Sequence, residues 1–221
     1  MISGQAAGLP DYLGAKMYAL AYLEEGLALD LVYHSLWHTQ KEVALRAEWL
    51  AAQEGLSPEA QMLVGTAAYY HDIGFVRRRD DHENVSAQIT GEILPRFGYT
   101  PTQVRLIQGM IRATRLPQNP HNILDAVVAD ADLDVLGRDD FFARNRALRT
   151  ELAASGVTFT DQAWYSQQLR FLQQHHYFTA TARQDRGAKK QENLRQLQAL
   201  LSDCSSLHPT ALVASPSYAV P

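Results

Sequence analysis

The chain has a single cysteine, Cys204, in 221 residues. That excludes an internal disulfide framework and a thiolate-rich zinc site, and it suits a reducing compartment. It has no run of about 18 apolar residues, so no segment reads as spanning a bilayer. The first ten residues lack a basic stretch followed by an apolar core and do not read as a signal peptide; the expected location is cytoplasmic. Basic charge is scarce as well. Against 24 Asp and Glu there are 20 Lys and Arg, a net charge of −4, so no global positive field would gather nucleic acid. Aromatics, at 9%, are nowhere interleaved with Lys and Arg, which makes a DNA-binding role the poorest reading. No internal repeat is present. No segment alternates polar and apolar residues with period two, which leaves an all-α fold.

What is present is enough apolar material for one fair-sized core: 46% hydrophobic residues with 20% charged. Residues 1–10 read as a flexible arm, 11–203 as one globular helical domain, and 204–221 as a loosely ordered tail. Leu13, Met17, Leu20, Leu23, Leu27 and Leu31 recur at helical spacing, predicting a helix from Asp11 to about Tyr33 that passes through Gly26. A second is expected over about Ser35–Glu54, stopped by Gly55. Ser57 and Pro58 form a helix-start signal for a third, which runs to Tyr70. A charged loop over residues 77–84 is followed by helices over Val85–Phe97, Thr102–Thr114 and Ile123–Leu136. Three more are expected over Asp139–Ser155, from Thr160 to His175 or His176, and over Ala188–Leu201.

The chemistry gathers around Ala67–Phe75, an apolar run that ends in His71-Asp72 and then Gly74. Adjacent side chains on a helix point about 100° apart, so His71 and Asp72 meet only at a helix end, one from each flank. His34 and His38 lie upstream at i,i+4, one above the other if helical. Asp130 and Asp132 lie downstream in an apolar helix with no Lys or Arg before Arg138. Buried aspartates are costly unless paired or bound to an ion. Capping of a neighbouring helix or pairing with an Arg from elsewhere accounts for the aspartates; a shared metal accounts for the whole set. Imidazole and carboxylate without thiolate suit Mn, Fe, Co, Ni, Zn or Mg. Such an ion lowers the pKa of a bound water and polarises a phosphoryl oxygen.

His38, His71-Asp72 and the Asp130/Asp132 region resemble the signature of the HD-domain superfamily of metal-dependent phosphohydrolases, over about residues 11–200. These are all-α proteins that hydrolyse phosphoesters, commonly of nucleotides. Tyr33-His34-Ser35-Leu36-Trp37-His38 is similar to the Tyr-His-Asn-x-x-His motif of the cyclic-nucleotide phosphodiesterase branch, with Ser35 in place of Asn. The resemblance implies His38, His71, Asp72 and Asp132 as metal ligands and His34 as the acid for the leaving oxygen. Ala131-Asp132-Leu133 is similar to the Ala-Asp-Leu that carries the last ligand. Asp130 is the alternate ligand, or a hydrogen-bond partner of a ligand histidine or of the attacking water. Glu83 is the candidate for positioning water, and His82 divides evenly between surface and catalytic roles. The order Asp80-Asp81-His82-Glu83 departs from the Glu-Asp pair of the branch that acts on guanosine tetraphosphate. Arg77, Arg112, Arg115 and Lys190 are the candidate phosphate contacts. The expected function is metal-activated attack of water on a phosphoester of a nucleotide or cyclic nucleotide; the alternative is a regulatory domain that senses a nucleotide without turnover. No nucleic acid or membrane partner is expected, and the choice between monomer and homodimer stays open.

Overall fold

The computed structural model describes residues 9–207, within which there are helices and turns and no strand. The helices are α1 (Tyr12–Gly26), α2 (Ala44–Gln53), α3 (Pro58–Tyr70), α4 (His82–Ile93), α5 (Pro101–Ala113), α6 (Ile123–Asp132), α7 (Phe141–Ala154), α8 (Asp161–Gln174) and α9 (Ala180–Leu207). The expected caps form. Asp11, Ser57 and Thr160 each accept from the amide three residues on, and Thr100 with Gln103 completes a reciprocal capping box. One apolar core joins α1 to α6 through residues such as Leu23, Leu50, Tyr70, Ile89, Ile107 and Val128. A smaller cluster (Leu136, Phe141, Leu172, Leu197) fastens α7, α8 and α9 beneath the end of α6.

Several boundaries differ from the sequence expectation, and the differences shape the site. The first helix ends at Gly26, where Leu27 turns to extended backbone. A Cβ on Gly26 would meet Val76 Cγ1 at 2.3 Å, so the chain passes too close to the turn after α3 for a side chain there. Residues 27–35 are therefore an irregular segment, and His34 sits on it; His34 and His38 do not share a helical face as their spacing implied. His38–Val43 is a π-helical turn leading into α2, a local widening of the kind often found at functional sites. The helix expected from Val85 begins at His82, because Asp81 takes a left-handed backbone (φ 58°) and starts α4 three residues early. The helix expected to reach Leu136 stops at Asp132 and gives way to a 3₁₀ turn over Asp134–Gly137.

The last helix starts at Ala180 rather than Ala188 and continues to Leu207, past Cys204. The remainder of the proposed tail, from residue 208, and residues 1–8 of the proposed arm lie outside the described residues.

Candidate metal centre

Three chain segments end at one point. The π turn presents His38, the C-terminal end of α3 presents His71 and then Asp72, and the last residue of α6 is Asp132. His38 Nε2 and His71 Nε2 each lie 3.4 Å from Asp132 Oδ1. Asp72 Oδ2 is 3.2 Å from His71 Nε2 and 3.8 Å from His38 Nε2. One ligand atom from each of His38, His71 and Asp132 falls within 4.8 Å of the others. His38, His71 and Asp72 are 2%, 1% and 4% exposed, so these polar atoms are out of reach of bulk water.

Each histidine is anchored through its other nitrogen. His71 Nδ1–H donates to the Ala68 carbonyl at 2.8 Å, and His82 Nδ1–H to the Arg79 carbonyl at 3.2 Å. His38 Nδ1 bonds Glu42 Oε2 at 3.0 Å, and His34 Nδ1 bonds Glu151 Oε1 at 2.5 Å. A carbonyl or a carboxylate only accepts, so the proton is on Nδ1 and Nε2 is left for the site. His38 Nε2, His71 Nε2 and Asp72 Oδ2 are buried and make no hydrogen bond. Buried polar atoms without partners are rare and call for an explanation. A divalent ion explains all three at once, since imidazole nitrogen and carboxylate oxygen are its usual donors.

Electrostatics fit the same reading. Burial opposes ionisation of Asp132, but the two imidazoles beside it, His38 and His71, outweigh that and hold its carboxyl down at about 2. Asp72 is likewise held well below the usual carboxylate range by His71, against the effect of burial. Burial would lower the imidazoles, yet Asp72, Asp132 and, for His38, Glu42 overcome that and raise both His38 and His71. The carboxylates thus concentrate negative charge where the ring nitrogens converge. A metal cation there would displace the imidazole protons.

The surroundings divide into a pocket and a supporting shell. His34, His82 and Glu83 line a narrow pocket with Asp72 and Asp132, walled by Tyr33, Leu116 and Leu133; its volume is about 20 Å³. Phe75 is sandwiched there, its ring 4.4 Å from His34 and 4.0 Å from His82. His82 Nε2 is 3.5 Å from Asp72 Oδ1, so His82 is buried beside the cluster and not at the surface. Two roomier grooves, of about 640 and 450 Å³, are not lined by His38, His71, Asp72 or Asp132.

Asp130 stands apart. Its carboxylate accepts from the Phe178 and Thr179 amides and from Thr179 Oγ1, all at 2.7–2.8 Å, and reaches no ligand histidine. It ties the entry of α9 to α6, a capping role, and not the place of an alternate ligand or of a partner to a ligand histidine. The cationic candidates have other engagements. Arg77 pairs with Glu92, and buried Lys190 donates to the His175 carbonyl. Arg112 bonds Asn84 at 3.2 Å and Arg115 bonds Asp81 at 3.0 Å, beside His82-Glu83 on the pocket rim. None of the four lines the pocket itself.

Sequence reasoning missed Glu42, Arg138, Arg144 and Glu151. Glu42 stands four residues from His38 and was within reach of the i,i+4 rule. Arg138 and Arg144 both pair with Glu42, at 2.9 and 3.0 Å, and nothing local in the sequence signals that.

Comparison with known proteins agrees with this architecture. Residues 36–134 match the family model of the HD domain. The fold is similar to the crystal structure of a predicted HD superfamily hydrolase from an uncultured Thermotogales bacterium. The TM-score is 0.59 at 20% identity, over 85% of this chain and 92% of that one. No curated protein matches the sequence. By that match residues 36–134 are an HD domain, and the likeness of fold extends over most of the chain.

Proposed function

We propose that the chain is a metal-dependent phosphohydrolase that cleaves a phosphoester of a nucleotide or cyclic nucleotide. The observation that carries this is the convergence of two buried, unpartnered nitrogens, His38 Nε2 and His71 Nε2, on the Asp132 carboxylate, with the unpartnered Asp72 Oδ2 3.2 Å from His71 Nε2. His38, His71, Asp72 and Asp132 would hold a divalent ion, which when bound supplies a lowered pKa to water and polarises a phosphoryl oxygen.

The remaining work falls to side chains of this protein. His34, which lines the pocket, gives the Nε2 proton of its imidazolium to the leaving oxygen. Glu83, buried at the start of α4, orients the attacking water. Tyr33, Leu116 and Leu133 keep other water away. A volume of about 20 Å³ is room for about one water, so the bulk of the ester stays outside the pocket. The rest of the substrate lies on the rim, near Arg112 and Arg115, where a guanidinium can grip a phosphate or stack on a base.

The test joins elemental analysis of the purified chain to a phosphate-release screen over nucleoside mono-, di-, tri- and cyclic phosphates, with Asp72→Ala and His38→Ala beside it. Bound transition metal and turnover that both variants lose support the reading. Metal without turnover on any of these esters would favour a nucleotide-binding regulatory domain, and full activity in either variant would remove the site.

A further inference from the structure

We propose that Glu151, on α7, is the positioning residue for His34, fixing the proton on Nδ1 so that Nε2 is the nitrogen that serves the leaving group. This rests on the phosphohydrolase reading for its chemistry, but not for its geometry. Both partners lie outside residues 36–134, the segment that matches the HD domain.

Three hydrogen bonds converge on the one carboxylate. Oε1 takes His34 Nδ1 at 2.5 Å, and Oε2 takes the Tyr33 and His34 amides at 2.7 and 3.0 Å. The partners are 117 and 118 residues away in sequence, and Glu151 is 3% exposed. Burying a carboxylate is unfavourable unless its oxygens are fully used. Here they are, and the bonds from His34 and from the Tyr33 and His34 amides keep its carboxyl below the ordinary value even though burial pushes the other way.

The segment it holds has no helix of its own to orient it. Arg144, two turns earlier on α7, grips the same segment: its guanidinium donates to the Tyr33 carbonyl at 2.8 Å and lies 4.6 Å over the Tyr33 ring. With Phe75 stacked on its face and Glu151 on its Nδ1 edge, the His34 ring is held on two sides. A neutral amide could tether the loop equally well. An ionised carboxylate does more, since it accepts only, dictates the tautomer and stabilises the imidazolium that an acid catalyst must be.

In the step concerned, a P–O bond forms to water as the P–O bond to the leaving group breaks. The His34 Nε2 proton passes to the leaving oxygen, and the proton released by water restores the imidazolium.

Leaving-group dependence separates positioning from mere structure. The manganese-loaded full chain, with Glu151→Gln and Glu151→Asp variants of verified metal content and melting temperature, would be assayed on a nitrophenyl phosphodiester and on a cyclic nucleotide. The nitrophenolate departs without a proton, whereas the ribose alkoxide needs one. Glu151→Gln, whose amide N–H would face Nδ1 and force the opposite tautomer, should lose about 10²-fold or more on the cyclic nucleotide and under about tenfold on the nitrophenyl ester. Glu151→Asp should recover part of that loss. Equal losses on both esters at full metal content would overturn the proposal.

A ¹⁵N histidine spectrum, with His34 assigned by its disappearance in His34→Asn, gives a second readout that needs neither turnover nor a folded Glu151 variant. A Nδ1–H tautomer or imidazolium at His34 in the parent chain is expected, and a Nε2–H neutral tautomer would overturn the proposal. If the loaded parent chain hydrolyses neither ester, the phosphohydrolase reading is left to the wider phosphate-release screen, and this spectrum alone decides the role of Glu151.

Discussion

Glu42 Oε2 bonds His38 Nδ1 at 3.0 Å from one turn further along the same helix, while Arg138 and Arg144 hold its two oxygens from the other side of the chain. The bonds to His38 and the two guanidiniums, against the effect of burial, bring its carboxyl down to about 2, so it is ionised at any working pH. Its partners fix the ring that carries a candidate ligand nitrogen. Substituting Glu42→Gln would weaken that hold without touching the ligand atoms. Metal affinity should fall about 10- to 100-fold, the usual effect of losing a residue that orients a ligand histidine. Competition against a chromogenic chelator measures it.

Asp130→Ala should act on stability and leave the metal in place. It strips the acceptor from two amides and a hydroxyl at the start of α9. Leaving buried donors unsatisfied costs about 1–3 kcal/mol. Urea unfolding reads that loss, and chelator competition should show unchanged affinity. A large fall in affinity would mean that Asp130 reaches the ion after all.

Gly74→Ala should be far more damaging than the small size of the change implies. A Cβ there would lie 2.2 Å from the His82 carbonyl and 2.8 Å from the Ser86 amide, so α4 must move. Gly74 N–H also donates to Ser86 Oγ at 2.8 Å. Backbone cannot yield as a side-chain tip can, and displacing the start of α4 shifts His82 and Glu83 with it. The expected result is a lowered melting temperature together with a reduced phosphate-release rate in whatever fraction stays folded.

Lys190 offers a test by pH. Burial depresses its ammonium to about 8, against 10.5 for an exposed lysine. Between these values the unfolded chain binds a proton that the folded chain does not, so this group makes stability rise with pH from about 8 to 10.5; below 8 the folded state carries the full penalty of the buried charge. In Lys190→Met that rise should be absent, so the stability difference between the variant and the parent should shift in the parent's favour as pH climbs from 7.5 to 10.5. Denaturant melts across that range check it. A pH-independent difference would mean that the ammonium is solvated and free to meet a substrate.

Much of the fold follows from local signals. Ser57-Pro58, Thr100-Pro101 and Thr160 start helices where the caps place them, because a side-chain oxygen satisfies amides within its own turn. Boundaries departed from expectation at two glycine- or turn-dependent points: Gly26 closes α1 where only a glycine fits against Val76, and the left-handed Asp81 opens α4 at His82.

The residue types and order of the cluster were legible in the same way: His38, His71-Asp72 and Asp132 are metal-ligand types in apolar surroundings, and that pattern survives without coordinates. So was the absence of strands among the described residues, since the apolar period was helical throughout. Tertiary structure alone separated Asp130 from Asp132, which lie two residues apart on one helix and therefore face different neighbours. It alone paired His34 with Glu151 and Glu42 with Arg144, because a carboxylate buried by folding seeks its partner through space, and distance along the chain carries no trace of that choice.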